Sequence, residues 1–488
     1  MRKYIMKTKS IRISLAIGLL LFSGCSEDFL NIAPPASLTE DIFFKTPADA
    51  EATITAAYRS LLSIGQNNNY AKVTEAPTDD VIIFNTQGLS LDSWSFGTND
   101  AIIDEVWQSL YEGIFRANIA LQKVPDIEME AAQKDRILGE AHFLRALFYF
   151  HLTVLYGEVP LVTEADPTDA SKAALPKSSL SEIQALMIDD LTQATGLLPL
   201  QSGYSEDDLG RASKGAAEAL LGKVYLYSGN YPMAETHLNN VIISNEYELL
   251  ADFSELLVVD NNVESIFEVQ LADLSGQGSS RIQNDYPQGQ GGFANLLPTQ
   301  DIVDEFEDYA GPTAINGKDP RLFYSIFREG DPYDEVAPAF SQAWTPTGYA
   351  KKKGQYPVIR FNNGNLGRNF PLIRLADVLL MYAEAANEND NPGEAIAAIN
   401  KVRDRVGMPN LPTAEYPVSN KQEIFEAIVH ERRVELAFEY HRLNDLRRWG
   451  LAEAELGSLG YVSPKHLYYP IPQSELDNNP ELVQTAGY

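Results

Sequence analysis

The chain has 488 residues, 44% of them hydrophobic, and a formal charge of −30 from 68 acids against 38 bases. Phosphate contacts need clustered Lys and Arg, so this balance argues against nucleic acid as a partner. One cysteine in the whole sequence excludes an internal disulfide and a thiolate metal cluster.

At the N-terminus, Arg2, Lys3, Lys7, Lys9 and Arg12 precede or open a short apolar run over 13–22, with no acid among them. That is the layout of a signal peptide. A permanent bilayer span needs about 20 apolar residues, more than this run supplies, and no later stretch approaches that length. Leu21-Phe22-Ser23-Gly24-Cys25 resembles the bacterial lipobox, whose cysteine takes lipid on its sulfur and on the amino group freed by cleavage. Residues 1–24 therefore read as a leader and Cys25 as the lipidated N-terminus. Each buried methylene adds about 0.8 kcal/mol, so several acyl chains such as palmitate hold such a protein almost permanently. Five bases and no acid leave with the leader, which takes the charge from −30 to −35. Ser26, Glu27 and Asp28 resemble the acidic surface-export signal of some Gram-negative lipoproteins, which would place the chain on the outer face of the outer membrane; an ordinary solvated tether accounts for the same residues equally well.

Residues 25–45 read as a tether stiffened by Pro34-Pro35, residues 46–250 as an N-terminal helical half, and 251–488 as a C-terminal half packed with it as one unit. Thr46 caps a first helix with Pro47 at its first position. Apolar spacing predicts further helices over 102–124, 131–156 and 181–197. In the third, Ile137, Ala141, Leu144, Phe148, Leu152 and Leu155 recur at three and four residues, and Gly157 with Pro160 ends the run.

From Ala216 the sequence takes a tetratricopeptide-like form: Leu221-Gly222-Lys223-Val224-Tyr225, a turn at Gly229-Asn230-Tyr231, then Ala234. A second such pair runs from Asp377 through Asn391-Pro392 to Val402. The fold class is therefore mostly α, a helix-pair scaffold. Between the two pairs, residues 251–370 are rich in Gly, Pro, Asn and Tyr, with a short strand-like piece at 265–271. Ligand chemistry is expected in this irregular region.

No catalytic or metal motif is complete. His430-Glu431-Arg432-Arg433-Val434 has Val where a zincin helix needs its second histidine. The helical pattern instead places Arg432, Glu435, Glu439 and Arg442 on one stripe as a structural ion network. No Gly-x-Ser-x-Gly occurs, and Gly276-Gln277-Gly278 lacks the third glycine of a dinucleotide loop.

Particular stretches carry a family resemblance. They are Phe143-Leu144-Arg145-Ala146 through Tyr156-Gly157-Glu158-Val159-Pro160; Arg374-Leu375-Ala376-Asp377-Val378-Leu379-Leu380 into Met381-Tyr382-Ala383-Glu384-Ala385; Glu431-Arg432-Arg433; Asp445-Leu446-Arg447-Arg448-Trp449-Gly450; and Tyr469-Pro470-Ile471-Pro472. By these the chain resembles the SusD family, also called RagB/SusD, from Cys25 to Tyr488. It departs at Thr485-Ala486, where Asn-Pro is usual, and at His441-Arg442-Leu443-Asn444.

The resemblance implies an outer-membrane, cell-surface protein that lies as a lid over a SusC-like TonB-dependent transporter. Such a lid captures oligosaccharides, or in some branches peptides, without cleaving them. No cofactor and no metal-ligating residue is expected from the sequence. A secreted glycan-active enzyme and a purely structural scaffold are the competing classes. The ligand surface in relatives combines a loop between the first two long helices with loops of the irregular region, here 78–100 and 281–356. The candidates on the first are Asp79, Asp80, Trp94 and Asn99, and on the second Tyr286, Phe293, Trp344 and Tyr349. Trp107 and Trp449 are expected in the core.

Overall fold

A computed structural model describes residues 43–66, 69–84, 87–164, 174–274, 276–279, 285–355 and 366–488. The leader, Cys25 and the tether up to residue 42 lie outside the described residues.

The fold is mostly helical. Its longer helices, in chain order, are α1 Pro47–Arg59, α2 Ala101–Lys123, α3 Ala131–Tyr156, α4 Leu180–Leu197, α5 Lys214–Tyr227, α6 Tyr231–Ile243, α7 Leu375–Glu388, α8 Pro392–Arg405, α9 Lys421–Glu435 and α10 Arg442–Arg448. Local chemistry sets their ends. Thr46 and Asp49 form a capping box at α1, with Pro47 in the first turn, and Ser179 and Glu182 form another at α4. Helix α3 has the predicted bounds, while α2 and α4 start one residue earlier than the spacing indicated. None of the described helices is long and apolar enough to cross a membrane.

From α1 to α9, each helix packs on the one before it. Small residues permit the close approach: a Cβ on Gly222 of α5 would lie 2.6 Å from Leu238 Cγ of α6. The stack continues from α6 to α7 although residues 244–374 lie between them. That junction is tied by Asn389 Nδ2 donating to Glu235 Oε2 at 2.6 Å, and Lys223 Nζ of α5 also reaches Asp377 Oδ2 of α7 at 3.1 Å. One apolar core runs through it, from Ala50 and Ile54 of α1 to Ile471 and Leu482 near the C-terminus. The helix-pair repeat is thus spatially continuous, and the irregular region is an excursion from it.

Six short strands organise that excursion: β1 Val81–Ile82, β2 Ser265–Val269, β3 Leu297–Pro298, β4 Ile326–Phe327, β5 Ala350–Lys351 and β6 Phe370–Arg374. Strands β2 and β6 pair antiparallel and close its neck, with Ser265 opposite Arg374. Strands β4 and β5 form an internal hairpin, and β1 pairs with β3. Two small clusters of its own support it. Ile302, Val303, Phe306, Leu322 and Ile326 pack on Val434 and Ala437, while Phe327, Tyr333, Phe340 and Ala350 form a second group.

Candidate functional site

The β1–β3 pairing joins the two loops expected to form the ligand surface, with Val81 opposite Pro298 and Ile82 opposite Leu297. Thr299 extends the join by donating its backbone N–H to Asp80 O and its hydroxyl to Asp79 O. Beyond the pair, Phe84 follows β1 and Phe293 precedes β3, and they are 45% and 49% exposed.

Beyond Phe293, the turn Gln288–Gln290 packs on the turn Gln342–Trp344, and a Cβ on Gly289 would sit 3.0 Å from Trp344 Cδ1. Only a bare backbone fits against the indole there. Trp344 rests edge-on to Tyr333 and Phe340, at centroid distances of 5.2 and 5.4 Å, and is half-buried. Beside it lies a cleft of about 310 Å³ lined by Asn316, Arg328, Glu329, Asp331, Gln342, Thr347 and Tyr349. Turn geometry fixes the two acids, since Glu329 Oε2 accepts from Gln342 N at 2.6 Å and Asp331 Oδ2 from Arg328 N at 2.9 Å. Tyr349 donates its hydroxyl to Gln300 Oε1 at 2.6 Å. An aromatic ring beside carboxylates, amides, a hydroxyl and a guanidinium can stack on the C–H face of a sugar and bind its hydroxyls.

Five expected ligand residues lie elsewhere. Asp79 and Asp80 are only 6% and 5% exposed, and their carboxylates face inward. Asp79 Oδ2 binds Arg442 Nη2 at 2.6 Å and Arg433 Nη2 at 2.9 Å, and Asp80 Oδ1 binds Arg433 Nε at 2.9 Å. Burial opposes ionisation of Asp79, but Arg442 and Arg433 outweigh it and lower its pKa. Burial dominates at Asp80 and raises its pKa despite Arg433. These acids anchor the loop to α9 and α10 through Arg433 and Arg442. Trp94, 3% exposed, stacks on His466 at 5.0 Å and meets Tyr461 edge-on at 4.9 Å, plugging the C-terminal segment. Tyr286 is buried as well. Asn99 is exposed, but it sits where Gln473 N donates to Thr98 O, in the same C-terminal contact as Trp94. Of the expected residues, Trp344, Tyr349 and Phe293 remain on the loop-rich surface, and Phe84 joins them. Sequence offered one signal for Phe84, a large apolar residue directly after a strand-like Val-Ile-Ile run. Trp107 is core, while Trp449 is half-buried, donating Nε1 to Glu384 Oε1 at 3.0 Å.

The expected ion network exists with different partners. Arg374 binds Glu264, Glu435 and Glu439; Arg405 binds Glu264 and Glu435; and Arg321 binds Asp319, Glu431 and Glu435. Arg432 instead pairs with Asp377 and Asp445, and Arg442 with Asp79. Carboxylate and imidazole atoms of Glu307, His430 and Glu431 lie within 4.8 Å of one another, the donor set of a metal site. Arg403 Nη1 already bridges the two acids, at 2.5 and 3.0 Å, so an ion would have to expel a guanidinium.

Comparison with known proteins agrees with this architecture. Residues 263–488 match the SusD family model, and residues 28–226 match a model described as starch-binding associating with outer membrane. The chain belongs to the SusD family. It is 28% identical to SusD-like protein P38 of Formosa agariphila, over 100% of both chains, and 24% identical to the starch-binding protein SusD of Bacteroides thetaiotaomicron, over 99% of this chain and 100% of that one. Among solved structures, a laminarin binding SusD-like protein is 29% identical with a TM-score of 0.78, covering 91% of this chain and 100% of its own. A SusD superfamily protein from Bacteroides vulgatus is 27% identical with a TM-score of 0.82 and the same coverage. The SusD family thus supplies the fold, and names among its members speak of starch, laminarin and the outer membrane.

Proposed function

We propose that this SusD family chain binds glycans at the cleft beside Trp344 and passes them to a SusC-like TonB-dependent transporter in the outer membrane. The observation that carries the binding part is the half-buried Trp344 on a turn whose Gln342 lines a polar cleft on the excursion. The indole Nε1 has no protein partner among the described residues and is available to a sugar hydroxyl. The names of relatives that bind starch and laminarin support the same ligand class.

Calorimetric titration with laminarin and with starch dextrins tests it. An aromatic contact contributes about 0.5–1.5 kcal/mol beyond area burial, so Trp344→Ala weakens binding several-fold while the protein stays folded. Unchanged affinity in a folded Trp344→Ala variant removes this cleft from consideration.

Membrane attachment is assigned to lipid on Cys25. The tether of some 20 residues then reaches about 65 to 70 Å at 3.3–3.6 Å per residue, enough for a hinged lid. Fatty-acid labelling that persists in Cys25→Ala refutes the anchor. Detergent purification that recovers this chain without a barrel partner counts against delivery to a transporter.

A further inference from the structure

We infer that the glycan taken at the Trp344 cleft is an uncharged one, and that saccharides bearing uronate or sulfate groups are excluded by charge. The inference rests on the glycan-binding reading above and narrows it to a substrate class.

Lys351-Lys352-Lys353 is the sole run of three consecutive bases in the sequence. It begins two residues after Tyr349, where exposed lysines would make the cleft a trap for anionic sugars. The fold turns all three inward, leaving them 5%, 2% and 8% exposed. Lys351 Nζ lies 2.5 Å from Glu75 Oε2 and 3.5 Å from Asp285 Oδ2. Lys352 Nζ sits 3.5 Å from the centroid of Phe323. Lys353 Nζ lies 2.5 Å from Glu439 Oε1 and donates to Glu435 O at 2.6 Å. Strand β5 contributes to this: its pairing with β4 fixes Lys351 in the fold, and Lys353 just beyond it donates to Glu435 of α9.

What stays outside has the opposite sign. Among the described residues of 285–355, Lys318 and Arg328 are the cations that reach solvent, and Lys318 is held by Asp308 at 2.7 Å. Against them, Asp301, Asp304, Asp308, Glu329 and Glu335 are exposed. The cleft lining holds Arg328 with Glu329 and Asp331, so it carries one more negative charge than positive. Neutral hydroxyls are well served by such a mixture of donors and acceptors. A carboxylate or sulfate about 6 Å from one uncompensated acid loses on the order of tenfold in affinity at an effective dielectric of about 40. The net charge of the whole chain adds a repulsive field on approach.

The test compares laminarin and starch dextrins with alginate and polygalacturonate of matched length, by calorimetry at low ionic strength. Binding of a neutral glycan, lost in Trp344→Ala, is expected, with the uronates at least about tenfold weaker. Glu335→Gln, on an exposed turn outside the cleft, should narrow that gap and leave neutral binding unchanged. Raised salt should narrow it too. A uronate bound as tightly as any neutral glycan, and lost in Trp344→Ala or Arg328→Gln, overturns the inference while leaving glycan binding at this cleft intact. Retention of neither class overturns both.

Discussion

Stability should fall as pH rises from about 6.5 to 9, and His430 is the group responsible. Its Nδ1 lies 2.7 Å from Glu305 Oε1, its Nε2 lies 3.3 Å from Glu307 Oε1, and its ring stacks on Tyr416 at a centroid distance of 4.7 Å. Burial disfavours the imidazolium, but hydrogen bonds to Glu305 and Glu307, with the charge of Glu431, outweigh it and raise the pKa to about 9. The folded pKa is therefore above the unfolded value of 6.5. The protonated ring stabilises the fold fully below about 6.5, and that contribution is lost as pH passes 9. A gap of about two and a half units corresponds to roughly 3 kcal/mol. Lys352 acts in the opposite sense above pH 8, because burial lowers its pKa to about 8 and the unfolded chain then binds more protons. The decisive quantity is thus the difference between the native chain and His430→Gln in urea denaturation at pH 6.5, 8 and 9.5. The native chain should lose its advantage over the variant across this range. Parallel pH profiles for the two proteins would refute the reasoning.

Two further outcomes follow from the interior. Burial opposes ionisation of Glu435, but Arg405, Arg374, Arg321 and Lys353 hold its pKa far below the usual carboxylate range. Glu435→Gln leaves these cations short of one negative charge and should cost about 3–5 kcal/mol in denaturant unfolding, whereas a loss under about 1 kcal/mol would show that the cations regroup on Glu264 and Glu439. Trp94→Ala should cost about 3–5 kcal/mol in stability, as for other buried tryptophans. Its glycan affinity, measured where the variant is folded, should match the native value; a selective loss of affinity would return Trp94 to the ligand surface.

The helices were legible because their signals are local. Caps, apolar spacing and stop residues lie within a few positions of one another, as Thr46, Pro47 and Asp49 do at α1. The α6–α7 contact was not legible, since no pattern within either helix says that residues 244–374 will loop out and bring Glu235 to Asn389. The ion network failed as a pattern for a definite geometric reason. Helical spacing puts Arg432, Glu435, Glu439 and Arg442 on one stripe, but α9 ends at Glu435, and Phe438 and Tyr440 have φ values of 66° and 70°. The chain turns there, so Glu439 reaches back to Arg374 and Lys353 while Arg442 reaches across to Asp79. The candidate site suffered from the same non-local pairing. Asp79 and Asp80 look like ligand groups in a loop, and Lys351 and Lys353 like surface cations, until each is matched to a charge from a distant segment. Arg433 of α9 takes both aspartates, and Glu75, ahead of β1, takes Lys351. Those charges are committed to fastening the loops to the helical scaffold, and they are not available at the cleft. Among the described residues the Trp344 indole N–H meets no acceptor, which leaves it as a donor for a sugar hydroxyl beside the cleft.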